Sequence, residues 1–185
     1  MRKTNIIIAF ILLLLTNSCS NVQNEFSSNK CYFVFENSNH NNSRLAEAMT
    51  AYSGVFCTVS LVNENGAQYY AFTNTEKTIL TDLDKQRTHI LGLNNGLIVG
   101  YGKLSDPLTF YAYDLECPNC FDPDAIPVRS KKLSISTSGI ATCNVCKRQY
   151  DLNNSGIIIS GDKGNKLTRY RASTTGPYGT LSVYN

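Results

Sequence analysis

The 185 residues include no tryptophan and only two histidines, and Lys plus Arg exceeds Asp plus Glu by just 17 to 14. Each shortage removes a class of function. His40 and His89 lie far along the chain from the cysteines at 117–146, so histidine-assisted cysteine catalysis is not expected. The formal charge of +3 falls to +1 when Arg2 and Lys3, at the head of an apolar run, are set aside. A chain this near neutrality lacks the electrostatic basis for a nucleic-acid partner. That run, Ile6 to Leu15, is ten residues long, roughly 15 Å as a helix against roughly 30 Å of hydrocarbon, and too short to span a bilayer. What remains is 42% apolar residues, enough for one ordinary domain with a small appendage and too few for two large ones.

Basic residues, a short apolar run and a small residue before a cysteine define the N-terminus: Arg2-Lys3, Ile6–Leu15, then Thr16-Asn17-Ser18-Cys19. The pattern resembles the lipoprotein signal of bacteria, in which the cysteine is diacylated and becomes the new N-terminus. Leu15 stands four residues before Cys19, one further than the usual pattern, and an ordinary secretory signal is the competing reading. The resemblance implies a signal peptide over 1–18, a polar flexible tether over 19–30 and a domain over 31–185. It also implies lipid anchoring to the bacterial envelope. Ser20, rather than an aspartate, follows Cys19 and resembles outer-membrane sorting. No protein partner is indicated.

From Cys31 onward short apolar or alternating runs recur between turn signals, the pattern of an all-β domain. Strands are expected at 31–35, 54–62, 68–73, 97–101, 109–113, 132–136, 149–152, 156–160, 166–173 and 180–184. One short α-helix is expected over Ser43–Tyr52, capped by Asn42, with Leu45, Met49 and Tyr52 facing the core. Tyr69, Tyr70, Tyr111, Tyr113 and Tyr150 read as core and rim aromatics.

The strongest signal is Cys117-Pro118-Asn119-Cys120 followed, 22 residues later, by Cys143-Asn144-Val145-Cys146. Two residues between the cysteines of each pair let a tight turn aim both sulfurs at one centre, and two such turns supply a tetrahedral sulfur set for zinc or iron. The loops concerned run over about 114–123 and 140–151, joined by a hairpin through Ser138-Gly139. Two structural disulfides are the bland alternative in an oxidising compartment. A redox dithiol is less favoured, because that chemistry wants a thiolate at a helix N-terminus, and Pro123 and Pro127 follow too closely for a helix.

The surroundings of these pairs, Leu97–Gly100, Phe110–Pro118, Lys147–Leu152 and Lys166–Tyr170, resemble the Rieske domain over about Leu97 to Tyr184. The resemblance implies an antiparallel β-sandwich with a small metal-binding subdomain carrying both loops. The departure falls on the ligands. A Rieske site has one cysteine and one histidine on each loop, whereas Cys120 and Cys146 stand at or beside the histidine positions. Respiratory electron transfer and ring hydroxylation are therefore not carried over. A single arginine in Met1-Arg2-Lys3-Thr4 suggests export of an unfolded chain and metal loading outside. Zinc is expected first, with iron or a 2Fe-2S cluster as the alternative. A closed four-cysteine zinc site is structural, no catalytic residue is assigned and an enzyme is not expected. Cys31 and Cys57 are a possible disulfide, with two separately buried free thiols as the alternative. His40 and His89 are expected at the surface or in turns.

Overall fold

The computed structural model describes residues 24–103 and 106–185, apart from the side chain of Asn74. The expected signal peptide and the Cys19 lipidation site lie outside the described residues. The described residues form an all-β fold with twelve strands and three short α-helices. The strands are β1 (Tyr32–Glu36), β2 (Phe56–Glu64), β3 (Ala67–Phe72), β4 (Lys77–Ile79), β5 (Leu97–Tyr101), β6 (Phe110–Asp114), β7 (Leu133–Ile135), β8 (Ile140–Cys143), β9 (Gln149–Asp151), β10 (Ile157–Ser160), β11 (Arg169–Thr174) and β12 (Thr180–Tyr184). The helices are α1 (Asn37–His40), α2 (Ser43–Ala48) and α3 (Asp82–Gln86). Eight strands form one curled antiparallel sheet in the order β1-β12-β11-β6-β5-β2-β3-β4, and four form a second in the order β10-β9-β8-β7. The small sheet is therefore an insertion between β6 and β11, two strands that are neighbours in the large sheet.

The strands at the centre of the large sheet explain how the two sheets share the molecule. β5 reads Leu-Ile-Val-Gly, all buried, because it is covered on both faces. Leu97 and Val99 point into a core with Phe33, Phe35, Leu45, Met49 and Val59, while Ile98 points into a second core with Tyr113, Leu133, Tyr150 and Leu152. β6 divides in the same way, Phe110 and Ala112 to the first core and Tyr111 and Tyr113 to the second. The period-2 side-chain alternation of a strand thus splits one apolar run between two cores. Tyr113 crosses between the sheets, its hydroxyl donating to the Leu152 carbonyl at 3.0 Å.

Helix α2 begins as expected, with the Asn42 side chain accepting from Leu45 N–H at 2.8 Å. It stops at Ala48, and Leu45 and Met49 are buried. Tyr52 corrects the expectation: it is 72% exposed and has φ of +62°, because the helix ends before Tyr52 can turn onto the apolar face. Helices α1 and α3 were not expected. α3 is set by a capping box, in which Thr81 and Asp84 exchange hydrogen bonds. β4 is an edge strand too short to leave a period.

Two further expectations are corrected. His40 is a buried side chain, its ring stacked 4.6 Å from that of Phe35 and its Nε2 3.0 Å from Asp84 Oδ2. His89 Nε2 lies 3.2 Å from Tyr70 Oη and 2.8 Å from the Asp84 carbonyl. Both histidines pack within the first core, where aromatic rings from β1 and β3 replace water around them. The stretch expected as a flexible tether is fastened from Glu25 onward. Glu25 pairs with Arg169 at 2.8 Å, Phe26 lies against the guanidinium groups of Arg169 and Arg171, and Ser27 N–H donates to the Arg169 carbonyl.

Candidate metal centre

Each cysteine pair closes a turn between paired segments. The first follows β6 directly. Leu133 N–H donates to the Leu115 carbonyl and Cys117 N–H to the Lys131 carbonyl, so the chain leaves and returns like a wide hairpin. Within the turn Cys120 N–H and Phe121 N–H both donate to the Cys117 carbonyl, at 3.1 and 2.9 Å. The second pair is the tip of the β8–β9 hairpin. Cys143 N–H donates to the Arg148 carbonyl at 3.0 Å and Lys147 N–H to the Cys143 carbonyl at 2.9 Å. Lys147 takes φ of +60°, the left-handed geometry that lets the chain reverse within so few residues.

These two turns meet sulfur to sulfur. The Sγ atoms of Cys117, Cys120, Cys143 and Cys146 all lie within 4.8 Å of one another. Across the pairs, Cys117 is 3.8 Å from Cys146 and Cys143 is 3.9 Å from Cys120. A tetrahedron with metal–sulfur bonds of 2.3 Å has an edge of about 3.8 Å, so the four sulfurs fit one mononuclear ion. They are far outside disulfide bonding, about 2.05 Å, and all four are free. No helix begins at Cys117, so the dipole that would activate a redox thiolate is missing. A binuclear cluster would hold one sulfur pair on each of two irons and push the pairs apart; the compact set favours one ion.

The thiols differ electrostatically. Burial raises the Cys117 thiol, and burial together with contact to Cys146 pushes Cys120 up to about 12. At Cys146 burial acts in the same direction, but the backbone N–H and guanidinium of Arg148 outweigh it and hold the thiol down at about 6. Adjacent thiolates resist forming together, and a bound cation removes that resistance. The arrangement is therefore a four-cysteine metal-binding site, closed by four protein sulfurs.

Several supporting residues carry no motif of their own. Tyr150, expected only as an aromatic of the core, places its hydroxyl 3.4 Å from Cys117 Sγ and accepts from Asn119 Nδ2 at 2.9 Å. Asn119 also exchanges hydrogen bonds with the backbone of Asn165. Arg148 donates to the carbonyls of Asp162 and Lys163 at 3.0 Å. The 161–165 loop is thereby wrapped onto both knuckles. Gly164 is required there, since a Cβ would overlap the Asn119 side chain. The only signal for Asn119 was its place inside the first pair; Arg148 and Tyr150 were marked only by their place in the Lys147–Leu152 segment just past the second pair and, for Tyr150, by its aromatic character.

Cys31 and Cys57 stand apart from this set. The disulfide expected between them is not formed: both are free, buried thiols. Each has its own surroundings, Cys57 Sγ lying 3.3 Å from the Thr58 carbonyl and 3.8 Å from Thr73 Oγ1, and Cys31 beside Gly92 and Asp114. No protein-family model, no curated protein and no solved structure matches this chain.

Proposed function

We propose that the chain is an exported lipoprotein, anchored through Cys19, whose Rieske-like domain carries one structural zinc ion on Cys117, Cys120, Cys143 and Cys146. Its role is binding or structural, in the bacterial envelope and on the outer membrane. The observation that carries the metal reading is the convergence of the four cysteine sulfurs, all within 4.8 Å of one another, a donor set that would fill a tetrahedral zinc site. The insertion of a four-stranded sheet bearing the second knuckle between β6 and β11 supports the Rieske-like comparison, and the sulfur-only donor set departs from it. Zinc fits an exported chain because it is acquired without cluster-assembly machinery.

A second reading, an electron carrier with iron at the same four sulfurs, is favoured by one feature. Cys120 and Cys146 are only partly buried, which gives an electron a short path to the surface. Elemental analysis and an absorption spectrum of protein purified from its native envelope separate the two. Stoichiometric zinc without visible bands is expected. Stoichiometric iron with thiolate charge-transfer bands would replace the first reading by the second. The anchor is tested on its own by fatty-acid labelling: Cys19→Ser is expected to abolish incorporation, and retained labelling overturns it.

A further inference from the structure

The segment 121–132 leaves the first knuckle and returns at the bridge between Glu116 and Lys132. Its base is firmly held. Ser130 Oγ donates to Glu116 Oε1 at 2.6 Å, and Lys131 N–H donates to the other carboxylate oxygen. Its tip is the opposite: Ile126 is 99% exposed and Val128 51%. Scattered exposed aliphatics are ordinary. Here two of them cap one held protrusion and run directly into Arg129, Lys131 and Lys132. The acids of the loop, Asp122 and Asp124, sit on the other limb beside the knuckle, where Asp122 Oδ1 accepts from Asp124 N–H. A divalent ion on four thiolates would itself leave two negative charges at the centre, so the positive character belongs to the returning limb and the tip.

A separate observation places Asn24, the first described residue, at this same end. Asn24, Phe26 and Ser28 line one groove of about 460 Å³ together with Pro118, Phe121 and Pro123. Five peptide steps separate Cys19 from Asn24, a reach of at most about 18 Å. An acyl chain on Cys19 would therefore hold the first knuckle and its loop close to the bilayer. Apolar tips flanked by cations are the chemistry that settles into an anionic headgroup layer.

We infer that the 121–132 loop docks on an anionic lipid surface, with Ile126 and Val128 entering the headgroup boundary and Arg129, Lys131 and Lys132 meeting lipid phosphates. The directional half of this inference rests on acylation of Cys19, whereas the composition of the loop does not. Because the chain has no tryptophan, Ile126→Trp and, on exposed Gln68 near the edge of the large sheet, Gln68→Trp each provide a single reporter. The full chain is reconstituted in vesicles of phosphatidylglycerol and phosphatidylethanolamine, or of phosphatidylcholine alone, with and without brominated acyl chains. Ile126→Trp is expected to blue-shift and to be quenched at least about twofold more than Gln68→Trp, more strongly in the anionic vesicles. Replacing Arg129, Lys131 and Lys132 together by Gln is expected to erase the anionic preference. Equal quenching at 68 and 126, or none at 126, overturns the inference, and the second outcome leaves the loop to a protein surface. Fatty-acid labelling is read on the same samples. If Cys19 is unlabelled the anchor reading fails, and the vesicles, added to the free protein, still decide the fate of the loop. If Cys19 is labelled and Ile126→Trp is silent, the loop inference fails and the anchor stands.

Discussion

The two cores of this protein are held together by different means. The core enclosed by the large sheet is built around Phe33, Phe35, Tyr70, Leu97, Val99, Leu181 and Val183, fully buried side chains drawn from β1, β3, β5 and β12. The core under the small sheet borrows Ile98, Tyr111 and Tyr113 from the large sheet. Its own strands are three or four residues long, and β10 is mostly exposed. Short strands with one covered face bury too little apolar area to order themselves. The four cysteines sit within this second core, where an ion bound to them would supply a cross-link that packing supplies elsewhere. The comparison teaches that one chain can join a region held by a large apolar core to a smaller one built around a four-cysteine site, with β5 and β6 as a common wall.

The largest effect expected from breaking that division is at the metal. Cys143→Ser should cost on the order of 5 kcal/mol of subdomain stability, because binding free energy at such a site is largely folding free energy. Adding Cys146→Ser should cost little more, since one substitution already breaks the site. Hydrogen exchange should show amides of β7–β9 losing protection while those of β1 and β12 keep theirs. Simultaneous loss in both regions would mean that the cores are one cooperative unit.

Phe35→Ala is the complementary test and should cost about 3–5 kcal/mol, as for a large aromatic removed from a core. Its ring meets His40, Tyr70 and Phe72, so the loss should appear in global denaturant unfolding while metal stoichiometry is unchanged. Metal loss in this variant would contradict the separation.

Alkaline pH sharpens the contrast through a thiol that is not a metal ligand. Burial pushes the Cys57 thiol from 9.0 up to about 11. A folded-state value raised above the unfolded one means that its contribution is fully present below pH 9 and is lost as pH rises through 11. That contribution is about 2–3 kcal/mol. The slope of stability against pH between 9 and 11 should flatten in Cys57→Ala, measured by denaturant midpoints; an unchanged slope would assign the alkaline loss to other groups.

The smallest expected effect is at the junction of the two regions. Gly92 has φ of +67°, and a Cβ there would overlap the Asp114 carboxylate, which accepts from Leu93 N–H, Glu116 N–H and Tyr170 Oη. Gly92→Ala should cost about 1–3 kcal/mol and shift the knuckle that follows Glu116, which a change in metal affinity would register.

Much of this was legible from residue order. The strands at 97–101 and 180–184 were readable to the residue, because turn residues bound them and their apolar patterns are unbroken. The four ligands were legible because the spacing within each pair is short-range chemistry. The fate of Tyr52 was not, since a helix end is decided by where the backbone finds its next hydrogen bond and not by periodicity. Nor were the places of His40 and His89, because an isolated histidine carries no mark of the aromatic walls that enclose it.

By itself the sequence determined the all-β class and the two cysteine turns, each a consequence of side-chain identity at short separation. Only the tertiary structure decided that the cysteines converge on one tetrahedron and that Cys31 and Cys57 remain apart. It alone placed Asn119, Arg148 and Tyr150 around the sulfurs, and fastened Glu25 to Arg169. The reason is physical: contacts between residues 23 to 144 positions apart depend on how twisted sheets pack, and local chemistry constrains which segments turn without specifying where those turns meet.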